Sequence, residues 1–114
     1  MATEYRIERR HDMSHWVKAA AVNEVLPGKA KFIEAEGLQV ALFNVGGSFH
    51  AIDNACSHVG GSLAEGSLEG EQVECPWHGA RFNVKTGQAL SAPASGDVAA
   101  YKVRVSGPDV EIEV

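Results

Sequence analysis

Apolar and polar residues alternate along much of this chain with a period of two, the spacing of a half-buried strand rather than a helix. The first such run is WVKAAAV over residues 16–22, and LPGK at 26–29 breaks it with Pro and Gly. Residues 30–53, AKFIEAEGLQVALFNVGGSFHAID, read as consecutive antiparallel strands. Their turns are expected at Glu36-Gly37 and Gly46-Gly47, sequences suited to tight hairpins. Ile33, Val40, Leu42, Val45, Phe49 and Ile52 are the expected inward face. The last segment, VAAYKVRVSGPDVEIEV (98–114), alternates again. Val98, Ala100, Val103 and Val105 lead into a Gly-Pro-Asp turn, and Val110, Ile112 and Val114 follow it, which predicts a C-terminal hairpin.

Between these runs the character changes. Residues 54–96 are rich in Gly, Ser, Ala and Pro. Short strands are expected within EQVECPW (71–77) and RFNV (81–84), with a turn at KTGQ (85–88). SLAEGSLEG (62–70) offers one helical turn at most. Residues 1–15 are charged and weakly periodic, and read as a loosely held arm or a first edge strand. There is no internal repeat and no helix of convincing length. The expected architecture is all-β: one domain over 1–114, with a loop-rich insertion at about 54–96. Loops carried on a rigid sheet are where functional groups tend to sit.

Composition narrows the function. A chain of 114 residues suffices for one domain with its own core. A formal charge of −5 argues against a nucleic-acid partner, and solubility alone accounts for such mild acidity. No stretch approaches the length needed to cross a bilayer. The N-terminal MATEYRIERRHDMSHW lacks the apolar core of a signal peptide, so a cytoplasmic location is expected. In a reducing compartment the two cysteines point to a metal or redox site rather than a structural disulfide.

Each cysteine stands beside a histidine, in CSHVGG (56–61) and CPWHGA (75–80). Cys56 and His58 are two apart, which in extended chain puts both side chains on one side. Cys75 and His78 are three apart, a spacing suited to a tight turn with Pro76 fixing the backbone. Sixteen residues separate His58 from Cys75, enough to return the chain so that the two loops face each other. Gly60, Gly61 and Gly79 let the backbone approach a bulky inorganic group and aim N–H groups at it. Three arrangements use these residues. A mononuclear zinc would take all four in a tetrahedron. A disulfide would leave both histidines unexplained. A [2Fe–2S] cluster would take two Cys on one iron and two His on the other. Zinc sites usually pair like ligands locally, whereas each loop here mixes them, which favours the binuclear cluster.

The C-S-H and C-P-W-H loops resemble the C-x-H … C-x-x-H signature of the Rieske iron–sulfur family, and nearly the whole chain fits that family's arrangement of strands and loops. The resemblance implies a Rieske-like antiparallel β-sandwich whose cluster-binding subdomain carries one Rieske-type [2Fe–2S] cluster. It implies that Cys56 and Cys75 bind the inner iron while His58 and His78 bind the outer, solvent-facing one. SAPAS (91–95) resembles the family's proline-containing loop over the cluster, making Pro93 a candidate neighbour of it.

Two thiolates balance the charge of the oxidised core, so the electron enters a neutral site and the potential is raised relative to a four-thiolate cluster. With both irons fully coordinated there is no position for a substrate, so the chain reads as a one-electron carrier and not an enzyme. The respiratory-complex branch of the family has a disulfide across the loops where this chain has Gly61 and Trp77. It has hydroxyls bonding the cluster sulfurs where this chain has Ala80 and Phe82. Each lost donor disfavours the reduced state, so a potential on the order of −150 mV is expected. The pattern then resembles the soluble Rieske-type ferredoxins of bacterial ring-hydroxylating dioxygenase systems. That implies an NAD(P)H-dependent ferredoxin reductase and a terminal oxygenase as protein partners, with neither nucleic acid nor membrane involved. The alternatives are a tightly bound small subunit of a reductase such as nitrite reductase, a structural zinc module, and a redox-sensing regulator, for which no DNA-reading element is visible. A fused oxygenase is not expected, since 114 residues leave no room for a second domain with a mononuclear iron.

Other residues have ordinary explanations. His11 and His15, four apart, fit a solvated arm better than a metal pair, and His50 reads as a strand residue. Trp77 either shields the cluster or packs within its loop, and Phe82 is expected beneath the loops. Glu65, Glu69, Glu71 and Glu74 read as a solvated acidic face.

Overall fold

The computed structural model describes residues 15–55, 62–76, 79–91 and 96–114. Among the described residues ten short strands form three antiparallel sheets. β1 (Trp16–Ala21), β10 (Asp109–Glu113) and β9 (Val103–Ser106) make the first, in the order β1-β10-β9. β2 (Ala30–Ala35), β3 (Leu38–Val45), β4 (Ser48–Asp53) and β8 (Ala100–Tyr101) make the second, in sequence order. β5 (Ser67–Glu69), β6 (Gln72–Glu74) and β7 (Arg81–Asn83) make a small third sheet, and the segments that flank the Cys–His motifs belong to it or adjoin it. The all-β expectation and the hairpins at Glu36-Gly37 and Gly46-Gly47 are borne out.

The four-stranded sheet is the middle layer. Ile33, Val40, Leu42 and Ala51 pack against Ala20, Val110 and Ile112 of the first sheet. Ala41, Phe43 and Ile52 pack against Val73, Cys75, Phe82 and Val84 on the side of the third. A strand covered on both faces has no solvent side to keep polar, which is why β3 reads as the continuous run VALF. This corrects the expectation of one inward face: Ile52 belongs to the core opposite Val40 and Leu42, and Phe43, absent from the expected set, is fully buried. Asn44 is the buried polar residue of β3. Its Nδ2 donates to the carbonyl of Val25 at 2.7 Å and its Oδ1 accepts the amide of Gly47 at 2.7 Å, so both polar atoms are satisfied.

Three further corrections follow from neighbours that periodicity does not report. Ala100 and Tyr101 pair with β4, not with the C-terminal hairpin, and the chain changes sheets at Lys102. Val105 is 54% exposed, because β9 is the edge of its sheet. Within 62–70 the single turn, Leu63–Glu65, is followed by a strand, β5. The N-terminal arm, residues 1–14, lies outside the described residues; His15, next after it, has its Nε2 2.7 Å from Glu36 Oε2.

Candidate metal centre

The four expected ligands stand on the segments joining β4 to β5 and β6 to β7. Cys56, His58 and His78 lie outside the described residues, as do Gly60, Gly61, Trp77 and Pro93. Cys75 is described and is 1% exposed. It shares an apolar cluster with Leu63, Val73, Ala80 and Phe82, so its sulfur is held in a low-dielectric setting at the end of β6. Among the described residues no group of three or more His, Cys, Asp or Glu is gathered.

The flanks of the first Cys–His segment are held by Asn54, a buried amide. Its main-chain N–H donates to the carbonyl of Gln39 at 2.9 Å, and its carbonyl accepts the amide of Leu63 at 2.8 Å. Its Oδ1 accepts the amide of Ala64 at 2.8 Å, and its side chain meets Ser62 Oγ at 3.1 and 3.2 Å. Ala55 and Ser62, one on each side of 56–61, form an antiparallel bridge. The sequence reading passed over Asn54. Its signal was a lone amide next to a strand end, which periodicity treats as the start of a loop.

The second segment is closed as a hairpin loop. The amide of Cys75 donates to the carbonyl of Ala80 at 2.7 Å, and the amide of Gly79 to the carbonyl of Cys75 at 3.1 Å. Gly79 has φ +77°, which a residue with a Cβ would occupy only under strain. One register step below, Glu74 faces Arg81, and Arg81 Nη2 stands 3.1 Å from Glu74 Oε1. Arg81 also approaches Glu69 at 3.6 Å, and Lys85 pairs with Glu71 at 2.9 Å. Three of the four glutamates expected on a solvated acidic face are therefore ion-paired on the third sheet. Ala80 and Phe82 are fully buried, in the same apolar cluster as Cys75.

The flanks of the SAPAS segment are tied to the same base. Leu90 donates to the carbonyl of Arg81 at 2.7 Å, and the amide of Arg81 to Ser91 Oγ at 3.2 Å. On the far side, Asp97 Oδ1 accepts the amide of Ala89 at 2.8 Å, and the amide of Val98 donates to Gly87 at 2.8 Å. The described flanks of all three segments are thus tied together by main-chain and side-chain hydrogen bonds. His50 lies elsewhere, in β4. Its Nε2 is buried with no hydrogen-bond partner among the described residues, and burial, aided by Lys85, holds its pKa below the ordinary imidazole value against the opposing pull of Glu71.

A buried thiol, loops closed by main-chain bonds and an apolar floor fit an iron–sulfur group, whose thiolate ligands favour exclusion of water. A family model described as the Rieske [2Fe-2S] domain matches residues 15–102. The ferredoxin component of a naphthalene 1,2-dioxygenase system from Pseudomonas putida is 37% identical over 99 residues, covering 87% of this chain and 95% of that protein. The ferredoxin subunit of a 3-phenylpropionate/cinnamic acid dioxygenase from Shigella flexneri is 44% identical over 99 residues, covering 86% of this chain and 92% of that protein. The solved ferredoxin of carbazole 1,9a-dioxygenase from Nocardioides aromaticivorans superimposes with a TM-score of 0.81 at 33% identity, over 85% of this chain and 95% of that one. These matches set aside the mononuclear zinc reading. The chain belongs to the Rieske [2Fe-2S] domain family and carries one Rieske-type [2Fe–2S] cluster.

Proposed function

We propose that this protein is the ferredoxin of a multicomponent oxygenase system, a one-electron carrier between an NAD(P)H-dependent reductase and a terminal oxygenase. Likeness to ferredoxin components over nearly the full length of both chains carries the reading. The cluster stores one electron. The polypeptide buries Cys75 in an apolar cluster, which keeps water from that sulfur. In this reading Cys56 and Cys75 hold the inner iron, and His58 and His78 the outer one. Support comes from the mixed donor pattern and from the buried position of Cys75.

The chain 1–114 acts as one domain in this account, because the middle sheet contributes to both cores. Among the described residues no helix is long and apolar enough to cross a bilayer. A reductase drawing on NAD(P)H supports a cytoplasmic site for the exchange. The test is reconstitution: with a ferredoxin reductase and an oxygenase of this class, product formation should depend on the chain and saturate with it. Oxygenase turnover independent of the chain would refute the role.

A further inference from the structure

We propose that the turn Ser62–Gly66 is a spacer that sets the distance between Asn54, at the foot of the first Cys–His segment, and Cys75, and that Gly66 is its positioning residue. The inference rests on Cys56 and Cys75 being cluster ligands. On one side the turn is fastened to Asn54, through Ser62 Oγ, the amide of Leu63 and the amide of Ala64. Its own bonds, Glu65 to the carbonyl of Ser62 at 3.1 Å and Gly66 to that of Leu63 at 3.0 Å, make it compact. On the other side the α-carbon of Gly66 lies directly against β6. A Cβ added there would collide with the carbonyl oxygen of Glu74 and stand 3.0 Å from Val73 Cγ2.

The backbone of Gly66 does not call for glycine. Its φ is −80° and its ψ 179°, an extended conformation open to any residue. What glycine supplies is the close approach. Glu74 cannot yield freely, since it is paired with Ser67 on one side and Arg81 on the other. A displacement of its carbonyl passes to Cys75, the next residue, whose amide is fixed to Ala80 at 2.7 Å. One methyl group at Gly66 therefore moves a ligand sulfur without touching a ligand. Groups that orient metal ligands tune the centre as well as its affinity.

The test uses the purified holoprotein and compares Gly66→Ala and Ser62→Ala with Ser67→Ala, a substitution at an exposed neighbouring position. Midpoint potential, the electron paramagnetic resonance spectrum of the reduced protein and the rate of iron release are read beside the melting temperature. Gly66→Ala should shift the potential, alter the spread of g-values and release iron at least tenfold faster. Ser62→Ala should move the same quantities less, and Ser67→Ala none. A lower melting temperature with potential and spectrum unchanged in both turn variants would reduce the turn to packing and overturn the spacer. If Gly66→Ala yields no folded protein, Ser62→Ala decides: a changed spectrum or potential supports the spacer, and unchanged values overturn it. A wild-type spectrum of another type overturns the ligand reading, and the spacer with it, before any substitution is made.

Discussion

The amide of Cys75 donates to the carbonyl of Ala80 at 2.7 Å, and with the bond from the amide of Gly79 to the carbonyl of Cys75 at 3.1 Å it joins the described ends of the second Cys–His segment. It fixes the chain direction on both sides of the turn while leaving the Ala80 side chain, itself fully buried, beside the cysteine. The nature of that side chain should therefore be felt at the cluster.

Ala80→Ser places a hydroxyl donor where the resemblance to high-potential relatives puts one. A hydrogen bond that strengthens as negative charge arrives should favour the reduced state by about 1–2 kcal/mol, which for one electron raises the potential by about 40–90 mV. Redox titration of the variant against the wild type reads this directly. A downward shift would contradict the charge argument.

Asn54 fastens the base of the first segment with a buried carboxamide. Asn54→Ala leaves the amide of Ala64 without its acceptor in a part-buried site, at a cost of about 1–3 kcal/mol, or a fall in melting temperature of about 4–12 °C. Calorimetry of the holoprotein checks it, and an unchanged melting temperature would mean that water replaces the carboxamide at no cost.

Phe82 is fully buried in the cluster that holds Cys75, whereas Phe32 on the edge strand β2 is 45% exposed. Phe82→Ala should cost about 3–5 kcal/mol, much of a small domain's stability. Phe32→Ala should cost far less, since much of its ring already faces water. Urea titration of the two variants separates them, and equal losses would contradict the burial assigned here.

His50 makes stability depend on pH. Its pKa in the folded protein is lowered from the ordinary 6.5, chiefly by burial, so the unfolded chain binds the proton first as pH falls. The contribution is fully present above the unfolded value of 6.5 and is lost as pH drops through the folded one. Melting temperatures from neutral to acid pH should fall more steeply for the wild type than for His50→Asn. Parallel curves would show that His50 is not the group responsible.

Much of this architecture was legible in the sequence, for identifiable reasons. Strands β2 to β4 announce themselves because each turn carries glycine and each strand is long enough to show its pattern. β5 does not, since Ser67–Glu69 is three residues of mixed character and becomes a strand by pairing with β6. Val105 and Phe43 mislead in opposite directions: alternation reports which residues share a face, not whether another layer covers it. At the site, the spacing singles out Cys56, His58, Cys75 and His78 as candidate donors. Asn54, Gly66 and Arg81 could not be read this way, because their importance comes from partners remote in sequence or from a close approach that no local pattern encodes.

The most direct test of the central claim is the electron paramagnetic resonance spectrum of the reduced protein, taken with iron and acid-labile sulfide analysis. The account predicts iron and sulfide in equal amounts and a spectrum of the mixed histidine–cysteine type, which His78→Cys converts toward the all-thiolate form. A single metal ion per chain, or a spectrum indifferent to that substitution, would contradict it.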